Sequence, residues 1–268
     1  RLSTMPKIEA ESIVLRVLDN KNIDKKLNDL GLSQDIYENL KDILKLTQGL
    51  ILISGPTGSG KTTTLYSILK ELNSDDKKII TVEDPIEYKI DSINQVPINN
   101  KVGLSFELVL KNILRQDPDI IFIGEIRDKF SLDIALQASL TGHLVLASIH
   151  ASSSVETITR LIDLKADPFL ISTTLKAVMA QRLVLAHCKS CENGCKKCNF
   201  TKFYDRTSIS EILKVDEQIS SLIFNKASFN ELKEYLKNIN FKTMLDDGKQ
   251  KVKDGLTTLE EVYKVVNF

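Results

Sequence analysis

The chain has 268 residues, of which 42% are hydrophobic, and its 36 basic and 36 acidic residues give a formal net charge of zero. This length and apolar content suffice for one large domain or two modest ones. The balanced charge argues against the class of polybasic nucleic-acid and membrane-surface binders, and the lack of an apolar run of about 18 residues argues against a transmembrane helix. Because the chain does not begin with Met, we expect it to start within a longer protein.

Residues 1–46 differ in pattern from the rest. They hold an amphipathic stretch at Glu11–Asp19, a polar stretch and a helix candidate near Ser33–Thr47. We interpret them as the C-terminal tail of a preceding domain followed by a linker.

From Leu50 onward, short apolar segments alternate with helical patterns. Short β-branched segments that are apolar on both faces are typical of strands in a covered parallel sheet. Such strands are predicted at Leu50–Ser54, Ile79–Glu83, Ile120–Gly124 and Leu144–Ile149, with helices near 61–72, 105–115 and 131–140. Strands alternating with helices predict an α/β fold. We place a core domain at 47–185, a cysteine-containing metal loop at 186–206 and a helical C-terminal region at 207–268.

A glycine-rich loop follows the first of these strands. The segment Gly55–Thr62 matches the pattern G-x-x-x-x-G-K-[ST], with a strand before it and a helix after it. Glycines let successive backbone N–H groups turn inward around phosphate, and the helix N-terminus favours an anion. Lys61 is expected to reach the β- and γ-phosphates of a nucleotide, and the Thr62 hydroxyl to bind Mg²⁺. The predicted nucleotide-binding residues are Gly55, Pro56, Thr57, Gly58, Ser59, Gly60, Lys61, Thr62 and Thr63.

Hydrolysis needs a group that orients or activates water. Glu83 and Glu125 both lie at predicted strand ends, where a parallel sheet forms its ligand crevice. Glu125 ends a strand that resembles a Walker B strand, with Gly124 where many motors carry Asp. We predict Glu125 as the water-activating residue and Glu83 as its helper or competitor; for Glu125 the alternative is a solvated carboxylate without function.

Two histidines flank the fourth predicted strand. His143 opens the strand and His150 closes it. A lone histidine is more often structural than catalytic, but His150 at the C-terminal end of a strand is placed to sense the γ-phosphate or the water.

All cysteines lie in one short segment, as Cys188, Cys191, Cys195 and Cys198. Two C-x-x-C units can present four thiolates to one metal, and such a closed site is structural rather than catalytic. We predict a Zn²⁺ site; the alternatives are an unmetallated loop and an iron–sulfur centre.

In their order along the chain, these motifs resemble those of the type II secretion and type IV pilus-assembly ATPases. The similar segments include the phosphate loop, TVEDPIEY (an aspartate box), the segment that leads into DPDIIFIGEIRD, LTGHLVLASIH (a histidine box) and the final GLTTLEEV. The resemblance covers nearly the whole chain.

The resemblance implies a RecA-like P-loop NTPase core that hydrolyses ATP with Mg²⁺ in a ring of six subunits. It implies that residues 1–46 end a preceding α+β domain, whose Arg1 and Arg16 contact the γ-phosphate, and that Arg115 neutralises phosphate charge. It also implies a cytoplasmic protein at the inner membrane, with an inner-membrane platform protein and an adaptor as partners and no direct nucleic-acid partner.

Two segments depart from the family pattern. Lys111 stands where the family usually carries a second arginine before Asp117–Asp119, and lysine lacks the bidentate fork of arginine. The family turn T-G-Y-x-G-R is Thr201–Arg206 here, without either glycine, so we expect the turn to differ locally.

The paired C-x-x-C units favour an assembly or secretion motor, because retraction motors of this family generally lack them. The alternatives left open are a pilus-retraction ATPase, a nucleotide-gated scaffold and a nucleic-acid translocase with a RecA-like core.

Overall fold

The computed structural model describes residues 2–15 and 25–266. Its main feature is a seven-stranded sheet with the strand order β5-β4-β6-β7-β3-β8-β9. All neighbouring pairs in it are parallel except β8 and β9, which are antiparallel. The strands are β3 (Gly49–Ser54), β4 (Ile79–Glu83), β5 (Asn94–Pro97), β6 (Ile120–Ile123), β7 (Leu144–Ile149), β8 (Leu175–His187) and β9 (Phe203–Lys214). The predicted α/β fold and its four parallel strands are confirmed.

Helices cover both faces of this sheet. Within β3, Leu50 and Leu52 pack into one apolar cluster while Ile51 and Ile53 pack into another on the opposite face. This explains why the strand is apolar at every position. The helices are α1 (Gln34–Ile43), α2 (Lys61–Leu72), α3 (Phe106–Ile113), α4 (Lys129–Leu140), α5 (Ser154–Asp163), α6 (Pro168–Thr174), α7 (Glu217–Phe224), α8 (Phe229–Asn238), α9 (Met244–Lys253) and α10 (Leu259–Val266).

The end of the sheet differs from the sequence prediction. Residues 186–206 were expected to be a cysteine loop and residues 207–268 a helical region, but β9 (Phe203–Lys214) pairs with β8 along most of its length. The predicted boundaries at 185 and at 206 therefore fall inside β8 and β9. The sequence did not predict β9 as a strand because β9 buries the polar residues Ser208, Ser210 and Glu211, which interrupt its apolar pattern. The helical nature of the remaining C-terminal region, α7 to α10, is confirmed.

The turn that enters β9 also differs from expectation. Lys202 and Asp205 stand where the family pattern has glycine, and both have positive φ, at 69° and 71°. These two residues therefore adopt the left-handed backbone that glycine favours.

Residues before the core form two separate parts. The strands β1 (Leu2–Pro6) and β2 (Glu11–Leu15) make an antiparallel hairpin whose apolar side chains are exposed. In contrast, α1 packs against the core through Ile36, Leu40 and Ile43, so the packed unit begins before residue 47. Arg1 and Arg16 lie outside the described residues. None of the described helices has the length and apolar character needed to cross a membrane.

Candidate nucleotide and metal sites

The phosphate loop connects the end of β3 to the first turn of α2 (Lys61–Leu72). Gly58 and Gly60 have φ of 81° and 90°, which few residues other than glycine adopt. A Cβ on Gly58 meets no atom within 4 Å, because the loop opens there into a cavity. Backbone N–H groups and the N-terminus of α2 border the same opening, an arrangement that binds anions.

The side chain of Lys61 folds back onto the beginning of this loop. Its Nζ donates to the carbonyl oxygens of Gly55 and Pro56, at 2.7 and 3.0 Å. Desolvation lowers the pKa of the ammonium group, an effect that nearby Glu125 opposes. No ion pair of Lys61 is found within residues 2–15 and 25–266. A largely buried cation with neutral partners at the mouth of a glycine loop fits a phosphate group.

The cavity in front of the loop measures about 860 Å³ and brings most of the predicted site together. It is lined by Thr57, Gly58, Ser59, Gly60, Lys61, Thr62, Thr63, Glu83, Glu125 and His150, and also by Arg127, Leu183 and Arg206, which the sequence analysis did not assign to the site. Gly55 and Pro56 lie behind this lining and accept the Lys61 hydrogen bonds.

Glu125 is held on both carboxylate oxygens. Arg127 Nε donates to Oε2 at 2.7 Å, and His150 Nε2 lies 2.8 Å from Oε1. The side chain of Glu125 is 20% exposed, so the carboxylate is positioned yet reachable by water. It follows Gly124, where a Cβ would lie 3.1 Å from the Val82 carbonyl oxygen. The close approach of β4 therefore leaves little room for an aspartate at this position.

Glu83 has a different environment in the same cavity wall. It is 3% exposed and accepts hydrogen bonds from Thr81, Gln95 and the Tyr66 hydroxyl. Burial raises the pKa of the Glu83 carboxyl group, although these hydrogen bonds oppose the shift. Because its oxygens are buried and already accept hydrogen bonds, the Glu83 carboxyl group is less accessible to an attacking water than that of Glu125.

Arg115, a predicted site residue, and His143 lie at the opposite end of the strands from Glu125. Arg115 is exposed and precedes β6, whereas Glu125 follows β6, so a single chain does not bring the two together. His143 lies before β7, where its Nδ1 is 2.9 Å from the Ala138 carbonyl oxygen, which indicates a structural role.

Sequence reasoning also missed Gln181, which lies on β8 and contacts the phosphate loop from behind. Its side chain is 1% exposed, donates to the Ser59 carbonyl oxygen and accepts from the Thr64 hydroxyl. The available signal was a Gln-Arg pair in an otherwise apolar segment that reads AVMAQRLVLA. Buried polar residues in a strand require partners.

The four cysteines form a compact cage at the tip of the β8–β9 hairpin. The Sγ atoms of Cys191 and Cys198 are 3.6 Å apart, those of Cys195 and Cys198 are 3.9 Å apart, and all four lie within 4.8 Å of one another. A tetrahedral zinc with Zn–S bonds of about 2.3 Å requires sulfur atoms about 3.8 Å apart. The residues therefore fit one zinc ion, whereas an iron–sulfur cluster, whose cysteines bind different iron atoms, needs a wider cage.

The thiols of this cage also differ in acidity. The Cys195 N–H group donates to Cys198 Sγ at 3.2 Å and lowers the pKa of that thiol to about 6. Desolvation and the neighbouring thiols raise the pKa of Cys191 to about 12. Four adjacent thiolates repel one another unless a cation compensates their charge, which again suits a metal ion.

The profile of the family described as "Type II/IV secretion system protein" matches residues 1–264. The chain belongs to this family. The resemblance drawn from the motifs is thereby confirmed.

Curated members of this family provide close relatives. The chain is 41% identical over 291 residues to the Type II secretion system ATPase E of Vibrio cholerae, covering 99% of this chain and 58% of that protein. It is 39% identical to the Type IV pilus assembly ATPase PilB of Thermus thermophilus, covering 98% and 33%. The chain thus spans well under two thirds of the length of these relatives.

Solved structures agree with the fold. The pilus retraction motor PilT with bound ADP matches with a TM-score of 0.78 at 29% identity, covering 99% of this chain and 73% of PilT. The ATPase DotB of Legionella pneumophila matches with a TM-score of 0.77 at 26% identity, covering 99% and 71%.

Proposed function

We propose that this chain is the motor part of an ATPase that powers the assembly of pilus or pseudopilus subunits for type II secretion, type IV pili or DNA uptake. The reaction is the hydrolysis of ATP to ADP and phosphate. The observation that carries the proposal is Glu125: a carboxylate fixed by Arg127 and His150 shares one cavity with Lys61 and the phosphate loop.

The proposed roles follow from position. Lys61 and the loop N–H groups bind the β- and γ-phosphates, and Thr62 holds Mg²⁺, which supplies positive charge for the leaving phosphate when bound. Glu125 orients the attacking water. Arg127 and His150 fix its carboxylate, so their removal should affect turnover more than nucleotide affinity. Glu83 supports the wall of the cavity from within.

The rest of the machine is proposed from the family. Six copies would form a ring, in which Arg1, Arg16 and Arg115 complete sites by movement of the preceding domain or of a neighbouring subunit. An inner-membrane platform protein and an adaptor would hold the ring at the cytoplasmic side of the inner membrane.

The cysteine cage favours assembly or secretion over retraction. A structural Zn²⁺ held by Cys188, Cys191, Cys195 and Cys198 would tie the ends of β8 and β9 together. The likeness to the retraction motor PilT is one of fold, and the curated relatives at about 40% identity carry secretion and assembly names.

The experiment is Mg²⁺-dependent ATP turnover by the full-length protein, measured for wild type, Glu125→Gln and Glu107→Gln at several protein concentrations. Glu107 is an exposed glutamate of α3 that pairs with Lys111, and it serves as the matched control. We expect Glu125→Gln to lose at least about 100-fold in turnover, as removal of a positioned catalytic group does, and to retain ATP binding.

Turnover per subunit that rises with protein concentration would support catalysis at subunit interfaces. If Glu125→Gln and Glu107→Gln both turn over ATP at the wild-type rate, the proposed role of Glu125 is wrong. An assembled, ATP-bound wild-type ring with only background turnover would instead support the nucleotide-gated scaffold.

A further inference from the structure

The side chain of Gln181 forms hydrogen bonds to the phosphate loop and to α2 on the side opposite the cavity. Gln181 Nε2 donates to the Ser59 carbonyl oxygen at 2.7 Å, and Gln181 Oε1 accepts from the Thr64 hydroxyl at 2.8 Å. Both hydrogen bonds are buried. The amide therefore holds the loop just before Lys61 and the helix just after it.

The first of these bonds fixes a peptide group that faces the cavity. In a planar trans peptide, the carbonyl oxygen and the N–H of the next residue point in opposite directions. Because the Ser59 carbonyl is held towards β8, the N–H of Gly60 is directed away from β8, towards the cavity that Gly60 lines. An N–H group fixed in this direction is preorganised to donate to a phosphate oxygen.

The second bond fixes the start of α2. Thr64 lies in the first turn of this helix, whose N-terminal N–H groups border the same anion site. With one amide bonded to both segments, the loop and the helix keep a constant relative position.

The loop is shaped around Gln181. A Cβ on Gly60 would lie 2.9 Å from Gln181 Nε2, and a Cβ on Gly55 would lie 2.7 Å from the Gln181 carbonyl oxygen. Two glycines of the phosphate motif are thus required for contact with this residue, in addition to their role towards the nucleotide.

The next residue extends this connection across the site. Arg182 donates through Nη1 to the Gln181 carbonyl oxygen and through Nη2 to the Ser152 carbonyl oxygen, both at 3.0 Å. Ser152 lies two residues after His150, so the loop support and the histidine segment are held by adjacent residues of β8.

We propose that Gln181 is a positioning residue of the nucleotide site, which orients the Ser59–Gly60 peptide and the start of α2 for binding of the phosphate groups. The inference rests on the proposed function, because it assumes that the loop binds a nucleoside di- or triphosphate. Gln181 contacts the loop from the side opposite the cavity and takes no part in the reaction itself.

The test compares Gln181→Met, which keeps the length of the side chain but removes its amide, with Thr64→Val, which removes only the second hydrogen bond. Thr174→Val is the control. Thr174 is also buried and donates to the Leu170 carbonyl oxygen. It lies next to Leu175, which pairs with the start of β3, whereas the phosphate loop follows the end of β3. The full-length proteins are compared by the Kd of MgADP, by KM and kcat for ATP, and by Tm.

We expect Gln181→Met to raise the Kd of MgADP and the KM for ATP by about tenfold or more, since a hydrogen bond to a charged phosphate becomes misaligned. The kcat at saturating ATP should change much less. Thr64→Val should show a smaller rise in the same direction, and Thr174→Val should lower Tm without changing either constant.

If Gln181→Met loses stability like Thr174→Val while its Kd for MgADP stays within about twofold of wild type, Gln181 is structural only and the proposal is wrong. If Gln181→Met does not fold, a wild-type Kd in Thr64→Val overturns the proposal. A wild-type protein that binds MgADP but does not hydrolyse ATP contradicts the proposed function alone, because the effect on the Kd of MgADP still tests Gln181.

Discussion

At the scale of single residues, two neighbouring strands end in glutamates whose surroundings differ. Glu125 follows β6 and keeps a water-accessible carboxylate between Arg127 and His150. Glu83 ends β4 with its carboxyl group buried among hydroxyl and amide donors. Only the Glu125 carboxylate is open to water, which supports the different roles proposed for the two glutamates.

The raised pKa of Glu83 predicts a pH effect on stability. A carboxyl group whose folded pKa exceeds the unfolded value of 4.5 contributes stability that is fully present below pH 4.5 and is lost as pH rises through the folded pKa. We expect the free energy of unfolding of wild type, relative to Glu83→Gln, to decrease as the pH rises above 4.5 and through the raised pKa of Glu83. Urea unfolding of both proteins at several pH values measures this difference.

The control for this measurement is Glu107→Gln, since Glu107 is exposed on α3. Its difference from wild type should stay nearly constant over the same pH range. A constant difference for Glu83→Gln as well would contradict a raised pKa at Glu83.

At the scale of elements, Lys202 and Asp205 at the start of β9 have a left-handed backbone although neither is glycine. For residues other than glycine this conformation raises the free energy of the folded state by about 1–2 kcal/mol. A glycine relieves this strain, but its more flexible unfolded chain offsets about 0.5–1 kcal/mol of the gain. Lys202→Gly should therefore raise the free energy of unfolding by about 0.5–1 kcal/mol. Asp205 is a less suitable position, because its side chain accepts from the Arg206 N–H group and so supports the turn.

Lys237→Gly should instead lower the free energy of unfolding. Lys237 is an exposed residue of α8, where glycine costs about 1 kcal/mol relative to better helix formers. Thermal or urea unfolding of the two variants should thus give changes of opposite sign. A destabilised Lys202→Gly would show that the side chain contributes more than its backbone strain costs.

The strands show which elements a sequence can predict. β3, β4, β6 and β7 are apolar at nearly every position because helices cover both faces of the sheet, and that pattern is visible without a structure. β5 is short and half exposed, so no apolar signal marks it. In β9, Glu211 is buried because it accepts from Ser154 and from the Met244 N–H group, residues that only the fold brings near.

The site follows the same rule. The phosphate loop, Glu125 and the cysteines stand in local motifs, and the motifs predicted them. Gln181 and Arg127 act through contacts that depend on the register of β8 or on the turn after β6, and no local motif marks them.

At the scale of the whole molecule, the cysteine cage lies at the end of a hairpin that also borders the nucleotide cavity. β8 contributes Leu183 and β9 contributes Arg206 to the cavity lining, and the cage closes the two strands beyond them. We expect the purified protein to contain one zinc ion per chain. Chelation or Cys191→Ser should lower Tm by about 5 °C or more. Loss of a structural metal lowers the free energy of unfolding by several kcal/mol, and in a chain of this size each kcal/mol shifts Tm by about 2–4 °C.

Ser190→Ala is the matched control, because Ser190 lies beside Cys191 and is exposed. It should keep both zinc and Tm. Protein without zinc whose Tm does not respond to a chelator would show that the cage is an unmetallated loop.

The position of Arg115 predicts that catalysis needs two chains. Arg115 precedes β6 and Glu125 follows it, so within one subunit the two residues lie at opposite ends of this strand. If Arg115 neutralises phosphate charge, it must do so at the site of a neighbouring subunit in the ring. Arg115→Ala and Glu125→Gln should then each lose turnover alone but complement each other when mixed.

In an equal, random mixture of the two variants, about a quarter of the sites combine an intact Glu125 with an intact Arg115 from the neighbouring subunit. We therefore expect turnover of up to about a quarter of the wild-type rate. Mixing is done from dissociated subunits at constant total protein, and unmixed variants set the background. Recovery in the mixture requires that the two groups come from different chains, because every chain carries one defect. A mixture that stays at background while containing mixed rings would assign Arg115 either to its own subunit or to no catalytic role.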